Sequence, residues 1–229
     1  MKSNKSILLY LFLFTVLGSF TSCIREDSDS VDQDKIFTEY ELFYNANEDK
    51  TYARATFKFS NVFGTKLELS EMSEIKFNGE PLTFNAFLAY YEKEYAGFVD
   101  TGTFRWTDLD GNIFTNSISV KPLSYGDGIT TISRDASFDL SWSGDPLGED
   151  ENVTVVVNGE NELDAKTFIT NDLGTQSIIL DRDKLQGVGA GPGTIFLDWR
   201  YIPLLNERTS AGGLITGRYR PLNLNVVFE

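Results

Sequence analysis

The sequence predicts an all-β protein assembled from β-sandwiches. Three observations predict it. Apolar residues recur at every second position, turn-forming pairs break the pattern at short intervals, and no long stretch carries the 3.6-residue period of an amphipathic helix. In chain order, Tyr40, Leu42 and Tyr44 alternate with Glu39, Glu41 and Phe43, and Phe57 and Phe59 alternate with Thr56 and Lys58. Lys66-Leu67-Glu68-Leu69, Ile75-Lys76-Phe77 and Phe104-Arg105-Trp106 follow the same rule. So do Phe138 to Trp142, Val153 to Val157, Ser177 to Leu180 and Thr194 to Ile202. Such alternation fits strands with one buried face. Asn78-Gly79, Asp110-Gly111, Gly126-Asp127-Gly128 and Asn158-Gly159 supply turns. Residues 84 to 95, with Phe87, Leu88, Tyr90 and Tyr91, read as a short helix or an irregular loop, and Asp183 to Gln186 as one helical turn.

A sandwich of immunoglobulin type needs about 100 residues, so two fit behind the N-terminal segments. The expected layout is a signal peptide at 1–22, an acidic tether at 23–35, and two tandem immunoglobulin-like β-sandwich domains at 36–130 and 131–229. The boundary falls near 128 to 136, with a single larger sandwich as the alternative. Phe77-Asn78-Gly79-Glu80 resembles Val157-Asn158-Gly159-Glu160, which suggests a duplication.

Cys23 is the only cysteine. A lone thiol has no intramolecular disulfide partner, and this one follows Lys2, Lys5, the apolar run Ile7 to Gly18 and Ser19-Phe20-Thr21-Ser22. A spanning helix needs about 20 apolar residues, more than this run supplies. A plain secretory signal shares the small residues before a cut site. The arrangement resembles a bacterial lipoprotein signal, with Phe20 where leucine is usual, and relaxed boxes ending in Ser-Cys are familiar in the Bacteroidota. That resemblance implies cleavage before Cys23, acylation of it by chains such as palmitate, and attachment to the outer membrane. Arg25-Glu26-Asp27 resembles the acidic signal that sends Bacteroidota lipoproteins to the cell surface. Residues 23 to 35 set Arg25 and Lys35 against five carboxylates and read as a solvated linker. The whole layout is similar to that of Bacteroidota surface lipoproteins with tandem immunoglobulin-like domains.

Acidic residues outnumber basic ones, 34 to 20, and both halves share the excess. With no basic block, nucleic acid is excluded as a partner. The chain has no histidine, which removes His-based triads, His-ligated metals and the commonest general base near neutral pH. No Gly-x-Ser-x-Gly elbow is present, and no cofactor is implied. Gly187 to Gly193 resembles a phosphate loop superficially, but Pro192 interrupts it and a strand follows, so it reads as a flexible connection.

Three groups are candidate sites. Tyr90, Tyr91 and Tyr95, in a loop-like segment with Glu92, Lys93 and Glu94, are candidates for stacking on a glycan. Arg218 and Arg220 share one strand face, available to a carboxylate, a sulfate or an acidic neighbour. Asp108, Asp110 and Asn112 place oxygens at alternate positions, as calcium requires, but the distal Glu of an EF-hand is missing and a hairpin turn is preferred. Asp145 and Glu149-Asp150-Glu151 read as a second, solvated acidic loop. Trp106, Trp142 and Trp199 share parity with apolar neighbours and read as core. The functional expectation is a non-catalytic lipoprotein, tied to the membrane through lipid on Cys23, that binds a polysaccharide or an envelope protein partner. A subunit of a fimbria-like assembly, exchanging the apolar strand Leu222 to Phe228, is the alternative, and a small carboxylate-based glycosidase the third reading.

Overall fold

The computed structural model describes residues 25–160 and 165–229. Cys23 and the leader lie outside the described residues. Nearly every element is a strand. In the N-terminal half these are β1 (Glu26–Asp27), β2 (Ile36–Asn45), β3 (Lys50–Phe59), β4 (Lys66–Glu68), β5 (Glu74–Phe77), β6 (Glu80–Pro81), β7 (Thr83–Asn85), β8 (Tyr90–Ala96), β9 (Thr101–Thr107) and β10 (Ile113–Ser119). Then come β11 (Ser124–Tyr125), β12 (Thr131–Ile132), β13 (Phe138–Ser143), β14 (Glu151–Asn158), β15 (Lys166–Thr170) and β16 (Ser177–Leu180). A one-turn helix, α1 (Arg182–Leu185), precedes β17 (Gly191–Tyr201), β18 (Gly213–Arg220) and β19 (Leu224–Phe228). Among the described residues, no helix is long and apolar enough to cross a membrane.

One 12-stranded sheet, with the main order β1-β4-β3-β2-β18-β17-β14-β15, runs through both halves of the chain. A four-stranded sheet, β10-β9-β5-β6, and a three-stranded sheet, β11-β13-β16, complete the architecture. The long strands alternate as predicted. On β2, Tyr40 and Leu42 are buried while Glu39 and Glu41 are half-exposed, and on β14 Val153, Val155 and Val157 all point inward. Tyr40 stacks on Phe104 at 4.9 Å between centroids, and Phe57 packs on Trp106 at 5.1 Å. Trp106, Trp142 and Trp199 are buried, as their parity predicts.

The two halves meet within the large sheet. β2 pairs in parallel with β18 from Thr38↔Gly213 to Asn45↔Arg220, and buried apolar residues from both halves form one cluster. β11 pairs with β13, so the crossover into the second half begins before Gly126, earlier than turn composition suggests. Pairing between distant segments is not encoded in local periodicity, which is why the sequence does not announce this seam.

Two further expectations need correction. From residue 25 onward, the segment read as a solvated linker packs against the fold. β1 pairs in parallel with β4, Arg25 bridges Glu68 at 2.7 Å, Ser28 is buried against Ser70, and the Gln33 side chain donates to the carbonyl of Ser28 at 2.7 Å. Side-chain hydrogen bonding and a two-residue strand pairing hold a charge-rich segment that has no core of its own. The glycine run is not a free connection either. Gly191 to Gly193 open β17, and a Cβ on Gly193 would meet the buried Phe228 ring. Asn78-Gly79, both at positive φ, make the tight turn between β5 and β6. Gly159 serves close packing instead, since a Cβ there would stand 2.7 Å from the Gly189 nitrogen.

Candidate functional site

The outer face of the large sheet carries a cross-strand ladder of charges. Arg54 on β3 stands between Glu92 on β8 and Glu41 on β2, at 2.5 and 3.3 Å. Glu41 lies 3.6 Å from Arg218 on β18, and Arg218 reaches Asp198 on β17 at 2.8 Å. Arg220 closes the ladder on the same carboxylate, with its Nε and Nη2 each donating at 2.9 Å. The Arg218 guanidinium also lies 4.2 Å over the ring of Phe43, an outward aromatic that these arginines shelter from water. Burial alone would raise the carboxyl pKa of Asp198, but hydrogen bonds from Arg220 and Arg218 outweigh it and hold it below the ordinary value of 3.8. Arg218 and Arg220 share one strand face, and the acidic neighbour they meet is the chain's own Asp198. Sequence reading missed Asp198. The inward set Ile195, Leu197 and Trp199 implies that it points outward, but not that β18 lies next to β17.

The tyrosine segment is a strand, not a helix or loop, and its alternation divides the three candidates. Tyr91 is core: it is 8% exposed, packs on Phe57 and Phe84, and its hydroxyl accepts from the Leu69 amide at 2.7 Å. Burial pushes its hydroxyl up to about 12. Tyr95 shares that parity and packs on Phe77 with its hydroxyl buried. Tyr90 faces the other way, beside Arg54, whose guanidinium lies 5.6 Å from its ring. The trio does not form one stacking platform. Tyr90 alone lines a depression of about 400 Å³ with Glu39, Glu41, Arg54, Leu214 and Thr216.

Asp108, Asp110 and Asn112 build the turn between β9 and β10. Asp108 is buried, and its Oδ1 accepts from the amides of Asp110 at 3.0 Å and Asn112 at 2.8 Å. Its Oδ2 accepts from the Asn112 side chain at 2.9 Å. This is the geometry of an Asx-stabilised turn. Among the described residues, no group of three or more Cys, Asp or Glu is placed to hold a metal ion.

A second concavity lies elsewhere, on the β14–β15 end of the outer face. It is an open groove of about 840 Å³ with Ile169, Leu173 and Ile202 as apolar walls, and Asn152, Thr154 and Arg200 among its polar residues. Its acidic rim comes from Glu149 and Asp150. Glu151 behaves differently from its neighbours. It is buried, and accepts from Lys121 at 2.8 Å, the Gly148 amide at 2.9 Å and the Trp199 indole at 3.3 Å. Arg200 has no ion-pair partner among the described residues, and its Nε is buried without a hydrogen bond. Strand parity marks Arg200 as outward-facing, but the groove depends on the loops beside it.

No protein-family model matches the chain, and no curated protein matches its sequence. Among solved structures it is similar to a tetra-tandem repeat in the extending region of a large adhesion protein, at 13% identity and a TM-score of 0.30. That match covers 85% of this chain and 49% of the other. A 1.5-MDa bacterial ice-binding adhesin matches at 11% identity and a TM-score of 0.24, over 85% of this chain and 64% of that one. The chain spans about half the length of the first and less than two thirds of the second. Likenesses this weak carry no argument about function.

Proposed function

We propose that the protein is a non-catalytic binding module, held at the outer surface of the cell by lipid on Cys23, that captures a polysaccharide in the groove beside β14 and β15. The observation that carries this reading is the groove itself. It joins apolar walls at Ile169, Leu173 and Ile202 to the guanidinium of Arg200, which has no ion-pair partner among the described residues, and to the polar side chains of Asn152 and Thr154. An apolar surface with a few convergent hydrogen-bonding groups suits a sugar chain, which presents both C–H faces and hydroxyls. The leader supports the address by its resemblance to lipoprotein signals. A fimbria-like subunit exchanging its last strand would have to break two ladders, because β19 pairs with both β17 and β12 and buries Val226 and Phe228.

Affinity electrophoresis of residues 25 to 229 against host and dietary polysaccharides tests the proposal. Retardation by at least one glycan is expected, reduced by Arg200→Ala and Ile169→Ser and unaffected by Tyr90→Ala. No retardation by any glycan, or retardation unchanged in both groove variants, overturns it.

A further inference from the structure

The end of the fold from which the described chain begins carries two unsheltered aromatic tips. Phe63, in the turn between β3 and β4, is 93% exposed, and Phe87, in the turn between β7 and β8, is 95% exposed. Phe59 and Leu88 beside them are also exposed. The two turns touch: the Lys66 ammonium, at the start of β4, donates to the Leu88 carbonyl at 2.7 Å. Apolar side chains presented together in this way mark an interaction surface.

The same end receives the N-terminus. β1 runs parallel to β4 with Glu26↔Leu67, so the chain enters β1 from the side of the turn that carries Phe63. Arg25 is held there twice, by Glu68 at 2.7 Å and over the Phe84 ring at 5.1 Å, three residues before Phe87. Cys23 is two residues from Arg25, a reach of about 7 Å at most. With residues 25 to 35 packed on the fold, no solvated linker separates this end from a lipid on Cys23.

The two turns themselves carry no acid, although Glu26 of β1 and Asp34, both exposed, lie at the same end, where the Lys35 carbonyl accepts from the Ser60 amide at 2.7 Å. Residues 59 to 66 and 83 to 91 contain no carboxylate, in a chain with 34 of them, and Lys66 is their single charged side chain. Carboxylates are repelled by an anionic lipid surface, whereas exposed phenylalanine rings bury at the boundary between headgroups and acyl chains. We infer that Phe63 and Phe87 rest at that boundary in the bilayer that holds the lipid of Cys23, so that the domain is docked on the membrane by its β3–β4 and β7–β8 turns. This inference rests on the lipid-anchor reading of Cys23. It orients the fold, with the opposite end, at the β2–β3 turn, pointing away from the membrane.

Site-directed spin labelling of the full-length protein, purified from membranes and returned to vesicles of phosphatidylethanolamine and phosphatidylglycerol, tests it. Nitroxides are placed at Phe63→Cys, Phe87→Cys and Leu222→Cys. Leu222 is apolar and 64% exposed but follows Arg220↔Asn45, at the far end of β2. The tips are nearly free of packing, so these variants fold. The expected result is a ratio of oxygen to water-soluble nickel-chelate accessibility several-fold higher at both tips than at Leu222. Equal ratios in protein that floats with the vesicles overturn the docking. Spin–spin broadening at the tips that vanishes on dilution with unlabelled protein assigns them to a second copy and overturns it too. Protein that does not float, with an unmodified Cys23 by mass, overturns the anchor itself and the docking with it, an outcome separable from the first.

Discussion

Replacing Asp198 by Asn removes one negative charge from a place where two guanidinium groups depend on it. The carboxylate accepts from Arg218 at 2.8 Å and from Arg220 twice at 2.9 Å. Asn keeps the volume and one acceptor oxygen; it leaves Arg218, 18% exposed, with Glu41 at 3.6 Å, and Arg220, 28% exposed, with no other ion-pair contact among the described residues and only the longer-range charge of Glu48. Breaking a fully buried pair costs about 3–5 kcal/mol, whereas an exposed pair is worth at most about 1 kcal/mol. The partial exposure and the residual Glu41 contact place Asp198→Asn between them, at about 2 kcal/mol. For a urea dependence of about 2 kcal/mol per molar, the unfolding midpoint falls by about 1 M. The pH dependence has a definite sign. The folded-state pKa lies below 3.8, so the contribution is complete above that value and is lost as pH falls through the folded pKa. Urea titrations of both proteins should therefore show a constant gap above pH 3.8 that narrows in more acid solution. Sulfate should stabilise the variant more than the wild type, because the two arginines would then accept an external anion. A midpoint shift under about 0.3 M, or a gap that persists unchanged into strong acid, refutes the reasoning.

Calorimetry of the whole protein should show one cooperative transition, since β2 and β18 share a ladder and one apolar cluster joins both halves; two resolved transitions would restore independent domains. Gly102→Ala, on β9, puts a Cβ into the buried Phe77 ring and should cost about 1–3 kcal/mol by chemical denaturation, while Gly97→Ala meets no neighbour and is strained only by its positive φ. Tyr91→Ala should lose about 3 kcal/mol and Tyr90→Ala under about 1 kcal/mol, so thermal melts of the two variants separate core from surface.

Much of the strand inventory is legible in the chain because a strand's side chains alternate regardless of partner. Tyr40 and Leu42, Val153 to Val157, and the three buried tryptophans all lie on the faces their parity assigns. The same rule, applied to Tyr90-Tyr91-Glu92-Lys93-Glu94-Tyr95, would have separated Tyr90 from Tyr91 and Tyr95, but the apolar Phe87-Leu88 before them blurred the period. Charge-rich composition suggested a free linker before residue 36, although Ser28, Gln33 and Asp34 are anchored through hydrogen bonds to Ser70, Ser28 and Ser210.

The sequence by itself determined the all-β class, the buried faces of the long strands, the turn at Asn78-Gly79 and the shared face of Arg218 and Arg220. Only the tertiary structure decided that β2 adjoins β18, that Asp198 stands between the two arginines, that Arg200 opens onto a groove, and that Phe63 and Phe87 share the end where the chain enters. The physical reason is range. Alternation and turn geometry are set by a residue and its immediate neighbours, whereas strand order brings together segments more than 150 residues apart, as with Glu41 and Arg218, and is fixed by the packing of the whole core.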